Sequence, residues 1–179
     1  MFDGTSWKFR ILYFITAMSP AYFLFIFTQL KLDVSISLGI FIMLVCCTFL
    51  LKNMINKRVN EGVEISKYRI PKIEAKNGEI SSFLLGVILP SVIGGADNFR
   101  INIMIFIVLQ FCLFLLMIKS SSILPNVPLI LFGLNIFEMS DGKYIISFRK
   151  QIIDIDEESI SITRLGDSRN CNTYIRKTK

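Results

Sequence analysis

Histidine is absent from the 179 residues. Imidazole general-base chemistry goes with it, as do zinc sites that pair His with Cys. Cysteine is scarce, four in all, with no C-x-x-C spacing. Cys46, Cys47 and Cys112 fall inside apolar runs and read as reduced packing thiols. Charge is thin as well. Asp, Glu, Lys and Arg make up 19% of the chain against 53% apolar residues, where a soluble domain carries about a quarter charged. None of these four residues lies deep in an apolar run, which removes the relay expected of a proton-coupled pump. There is no Walker-type glycine loop. The one acidic cluster, Asp154, Asp156, Glu157 and Glu158, sits around an expected turn and serves solvation. No enzymatic activity, metal or cofactor is expected.

What remains is long apolar runs. Roughly 20 apolar residues at 1.5 Å rise per residue match the hydrocarbon thickness of a bilayer. The pattern predicts a mainly α membrane protein with four transmembrane helices, at about 11–30, 34–51, 80–96 and 101–118. A small cytoplasmic antiparallel β subdomain follows. Ser19-Pro20 lies near the middle of the first run, where proline removes a backbone donor and a kink is expected. Ser19 or a neighbouring helix is expected to satisfy the freed carbonyl. The third run is short, carries Pro90 and closes on Gly94-Gly95, so it either crosses or re-enters.

A polar loop, 52–79, separates the second and third runs, and its centre, Val63 to Ile73, is expected to be partly extended. The division expected is a bundle over 1–122 and an interfacial segment with the β subdomain over 123–179. Pro125 and Pro128 interrupt the apolar stretch from Ile123 to Phe137, which reads as interfacial or packed rather than as a fifth crossing. Asp141-Gly142 is a hairpin signal between two β-favouring stretches. Tyr144, Ile146 and Phe148 alternate on one face, and Ile160 and Ile162 alternate with Ser159, Ser161 and Thr163. A hairpin alone is marginal, so the sheet is expected to lean on the central loop, the membrane ends or another subunit.

Charge sets the orientation. The two short turns hold only Lys31 and Arg100, which leaves the other eighteen of the 20 basic residues on the opposite side. Lys8, Arg10, Lys52, Lys57, Arg58, Lys76 and Lys119 lie near span ends, the positions that count most. Both termini are therefore expected in the cytoplasm.

Two intramembrane features stand out. Ser82, Gly86, Pro90 and Gly94 recur every fourth residue, a small-residue stripe that permits close helix packing. A loosely built, glycine-rich hairpin is the plainer reading. Gln110 is the most polar group well inside a run and is expected to make an interhelical hydrogen bond rather than line a substrate path. Asp97, Asn98 and Arg100 read as charged caps on a turn, and Arg176, Lys177 and Lys179 as contacts for anionic lipid or a partner.

Several short motifs fall in a recognisable order. Ile11-Leu12-Tyr13-Phe14 and Ser19-Pro20-Ala21-Tyr22 open the chain, and Glu79-Ile80-Ser81-Ser82 with Leu89-Pro90 marks the third run. Asn126-Val127-Pro128-Leu129 then leads to Gly133 and a hairpin. In this layout the chain resembles the small membrane subunit of the Kiwa anti-phage defence system of bacteria. The resemblance implies an inner-membrane homo-oligomer that detects phage attack and holds a cytoplasmic, DNA-binding partner protein. No direct contact with nucleic acid is implied for the chain itself. The competing expectation is an oligomeric channel or pore-forming effector, with a path lined by Thr16, Ser19 or Gln110. A small transporter is a third, disfavoured by the lack of intramembrane charge.

Overall fold

The computed structural model describes residues 3–30, 33–62, 64–69, 73–75, 99–120, 123–148, 159–168 and 171–176. Within the first apolar run the chain forms α1 (Trp7–Ala17), α2 (Ser19–Phe25) and a π-helical turn (Ile26–Leu30). Ser6 caps α1, its hydroxyl accepting from the Phe9 amide at 3.3 Å. Pro20 sits in the first turn of α2, where a missing N–H leaves no helical bond unmade. Proline thus starts a second helix, and Ser19–Thr28 departs from Trp7–Ala17 by 52°. The expected kink is present.

Next comes α3 (Val34–Glu61), which passes Leu51, its expected end, without interruption. Lysine, arginine and glutamate are good helix formers, so Lys52 ends the apolar run but not the helix. Leu51 and Ile55, one turn apart and fully buried, fix this extension to the core, and Gly62 stops it. A methyl at Gly62 would strike the Thr163 side chain. The last long helix is α4 (Phe99–Lys119), followed by the short α5 (Val127–Leu131).

Among the described residues, two helices, α3 and α4, are long and apolar enough to cross a membrane, or three crossings if the bent α1–α2 pair is one span. That falls short of the four expected, because the third expected run, 80–96, lies outside the described residues. Exposed apolar side chains line both long helices, among them Phe41, Ile42 and Met43 on α3 and Met104, Ile107 and Phe111 on α4. Apolar surface on this scale marks a face that meets lipid or protein. The segment with Pro125 and Pro128 is packed: α5 rests against α1 and α3, with Leu129 fully buried.

Among the described residues, six strands form one sheet: β1 (Glu64–Arg69), β2 (Ile73–Ala75), β3 (Asn135–Met139), β4 (Tyr144–Ser147), β5 (Ser159–Arg164) and β6 (Thr173–Arg176), in the order β1-β5-β6-β4-β3-β2. The central loop therefore supplies both edges, as its extended centre suggested. The sheet is mixed rather than antiparallel, since β4 and β6 run parallel. Turn signals report only neighbours in sequence, whereas β6 reaches β4 after β5 has been placed on its far side.

The register explains the core. Ile136 pairs with Ile146, and Ile146 with Ile175; these face the helices together with Tyr144. They join Phe9, Tyr13, Leu51, Ile55, Met117 and Leu129 in one cluster. Phe137 pairs with Ile145, and Ile145 with Tyr174, on the opposite face, where Ile160 and Ile162 complete a second cluster. Phe148 packs against the first cluster, so the alternation of Tyr144, Ile146 and Phe148 on one face holds.

Candidate functional site

Where α1 breaks, four polar side chains gather beside a carbon-lined cavity. Pro20 has no N–H to give the Thr16 carbonyl, its i−4 partner. The Ser19 hydroxyl donates to that carbonyl instead, at 2.8 Å. Thr16 itself is fully buried, its hydroxyl 2.9 Å from the Leu12 carbonyl and 3.0 Å from that of Tyr13. Asn126, also fully buried, brings its Nδ2 to 2.7 Å from the Thr16 hydroxyl and 3.3 Å from the Tyr13 carbonyl. At its other end Oδ1 accepts from the Leu129 amide at 3.2 Å and so caps α5. Only one amide orientation serves both ends, because the flipped one sets NH₂ against an N–H. Tyr13 closes the group by donating to the Leu124 carbonyl at 2.7 Å.

Beside this knot lies a cavity of about 330 Å³ between α2, α3 and α5, walled by Phe23, Phe41, Leu44, Val45, Val127 and Pro128. Ser19 and Thr48 are its hydroxyl-bearing neighbours. Both hydroxyls are turned to backbone: Ser19 to Thr16 as above, and Thr48 to the Leu44 carbonyl at 2.9 Å. The cavity therefore presents carbon.

At the sheet end the chain is tied together. Arg58 Nε donates to the Leu165 carbonyl at 3.1 Å, and its guanidinium pairs with the Asp167 carboxylate. The Asp167 amide donates to the Gly4 carbonyl at 3.2 Å, and the Ser168 hydroxyl to the Asp3 carboxylate at 2.8 Å. A methyl at Gly166 would run into the Asp3 carbonyl oxygen, so the N-terminal strap needs glycine there. Lys52 holds its ammonium 5.4 Å from the centre of the Phe148 ring.

Ring contacts give the helix directions. Phe114 of α4 meets Trp7 and Phe14, at 5.6 and 5.2 Å between ring centres. Phe106, earlier in α4, meets Tyr22 and Phe25 at 6.0 and 4.0 Å. Thus α4 runs antiparallel to α1–α2, and its C-terminal end lies toward the sheet.

Of the residues the sequence singled out, Thr16 and Ser19 come together in the knot. Gln110 is only 8% exposed, and neither end of its amide has a hydrogen-bond partner among the described residues. The expected interhelical bond is thus not among the described contacts. Ser82, Gly86, Pro90 and Gly94, with Asp97 and Asn98, lie outside the described residues. Asn126 was missed as a site, although an Asn two residues before Pro128 at the start of an apolar turn is an N-cap signal. No disulfide joins any of the four cysteines. Among the described residues, no three His, Cys, Asp or Glu side chains converge.

Apolar helices capped at one end by a mixed sheet define a small protein compatible with membrane association. The chain matches the family model described as anti-phage protein KwaA over residues 9–172, and it belongs to that family. Its role is accordingly in anti-phage defence, consistent with a subunit of the Kiwa system. No curated protein and no solved structure matches it.

Proposed function

We propose that the chain is a non-enzymatic sensor and scaffold subunit of its defence system. It would sit in the bacterial inner membrane as a homo-oligomer with four crossings, both termini and the sheet in the cytoplasm. Its sheet and basic tail would recruit a cytoplasmic, DNA-binding partner protein. One observation carries the reading: Asp3 and Gly4, the end of α3 and the β5–β6 turn are bonded to one another at a single end of the helices. An α1–α2 pair leaving that end and an α3 returning to it make a hairpin. Ala75 lies in the sheet, while α4 begins with Phe99 at the opposite end. This placement of Ala75 and Phe99 at opposite ends is compatible with the four crossings proposed.

Charge supports the same side assignment. Lys8, Arg10, Lys52, Lys57, Arg58 and Lys119 all belong to the sheet-side ends of their helices, while Arg100 belongs to the other. The alternative of an oligomeric channel draws less support, since two of its suggested lining hydroxyls, Thr16 and Ser19, are buried and bonded within the chain. Alkaline phosphatase and green fluorescent protein fusions at each terminus and after Asp33 test the topology. Fluorescence at both termini with phosphatase activity after Asp33 is expected. Mild-detergent purification tests the scaffold, with retention of a cytoplasmic protein encoded beside this chain as the expected result. A tail exported to the periplasm, or persistent purification alone, would overturn the corresponding half.

A further inference from the structure

We propose that the cavity between α2, α3 and α5 holds one acyl chain of an anionic phospholipid from the cytoplasmic leaflet, with Lys52 meeting the phosphate. This rests on the membrane reading given above. The walls are carbon, and the two neighbouring hydroxyls are already spent on backbone carbonyls. Water would find no polar partners there, and an apolar cavity of this kind stays dry. The cavity also has the size of a ligand pocket rather than a packing flaw. In a bilayer, the abundant molecule with matching chemistry is a lipid tail.

Depth and charge argue for the leaflet and the headgroup. Phe41, Leu44, Val45 and Thr48 place the cavity along the apolar part of α3. Lys52 follows Thr48 by one turn on the same helix face, toward the sheet. From Phe41 to Lys52 the helix rises roughly 16 Å, close to half of a hydrocarbon core about 30 Å thick. A tail seated along this groove would therefore put its phosphate level with Lys52. Arg58 and Lys57 stand one to two turns further on, each already paired with a carboxylate, so Lys52 is the cation at this level that would favour anionic lipid. The rim is apolar as well: Leu131, which helps line the cavity, is 82% exposed.

The site abuts the α1–α2 break, since Ser19 and Pro20 help line it. The bent helix is bonded there, through Asn126, to the segment leading into the sheet.

Native mass spectrometry of the full chain released from nanodiscs of equimolar phosphatidylglycerol and phosphatidylcholine tests this. Val45→Trp fills the groove from α3, Val127→Phe fills it from α5, and Met43→Trp on the exposed face of α3 is the control. Expected is a tightly held phospholipid in the parent and Met43→Trp, reduced about tenfold in occupancy in both filled variants. Lys52→Gln should keep the lipid but lose the preference for phosphatidylglycerol. Two filling variants from different elements guard against one of them misfolding, judged by elution and melting equal to Met43→Trp. Lipid retention unchanged in folded, filled variants would overturn the proposal, and so would a changed oligomeric state with retention unchanged, which would make a second copy the occupant. Release of the parent from membranes by alkaline carbonate without detergent would instead defeat the membrane reading itself.

Discussion

Asn126 reaches across 110 residues of sequence to put its amide nitrogen 2.7 Å from the hydroxyl of Thr16. One side chain thus joins the break in the first apolar run to the cap of the short helix that leads into the sheet. Because it is fully buried, neither of its ends has water to fall back on.

That double duty sets the outcome of three substitutions. Asn126→Ala removes the cap on Leu129 and the bonds to Thr16 and Tyr13, and should cost about 2 kcal/mol. Asn126→Asp keeps an oxygen for the Leu129 amide but loses the donor, and it buries a charge unless it protonates. Leucine repairs neither end. Melting in a fixed detergent should rank the parent well above all three, and an alanine variant that melts with the parent would mean the knot contributes nothing.

Ser19 and Pro20 form a second coupled pair. Ser19→Ala leaves the Thr16 carbonyl without its donor and should destabilise by about 1 kcal/mol. Pro20→Ala restores the backbone N–H that can serve the same carbonyl, so the serine loss should shrink toward zero in that background. Spin labels at Trp7 and Phe27, both exposed, measure the bend. Straightening a 52° break over these helix lengths lengthens their separation by roughly 3 Å.

Several of these features could be read from residue order alone, and the reasons are local. Pro20 lacks a donor wherever it stands, so the bend followed from chemistry within one turn. Gly142 adopts φ +75°, and the Met139–Gly142 backbone bond closes a loop of Ser140, Asp141 and Gly142 where the Asp-Gly signal fell. That glycine provides the left-handed residue of a three-residue loop rather than of a two-residue turn. The alternation of Ile160 and Ile162 likewise carried over to one face of the sheet. Non-local pairings were not legible. Nothing near Tyr174 says that it lies beside Ile145 in parallel, and nothing near Arg58 says that it stops at Leu165. The continuation of α3 past Leu51 was not legible either, since charge marks the end of an apolar run and not the end of a helix. Asn126 was visible as a cap but not as a knot, since its second partner is set by tertiary contact.

Arg58 makes two bonds of unequal value. Asp167 is 80% exposed at its side chain, so the ion pair is screened and Asp167→Asn should change stability by less than about 1 kcal/mol. Arg58→Ala also strips the Leu165 carbonyl of its donor, and Leu165 is buried. It should cost more, about 1–2 kcal/mol, and loosen the hold on the N-terminal strap. Limited proteolysis near Gly4 and melting together measure this. Equal effects from the two substitutions would assign the value to the salt bridge instead.

Gln110 offers the reverse experiment, a substitution expected to help. Its amide is shut inside the chain with no hydrogen-bond partner among the described residues, and a buried unmet amide costs about 1–3 kcal/mol. Gln110→Leu keeps similar bulk and removes that cost, so the melting temperature in detergent should rise. A second copy of the chain cannot be what Gln110 binds, because its polar atoms are already covered by its own chain. The oligomeric state read by native mass spectrometry should therefore be unchanged. A fall in melting temperature, or a change in oligomeric state, would reveal a hydrogen bond to Gln110 and would restore the interhelical contact expected from the sequence.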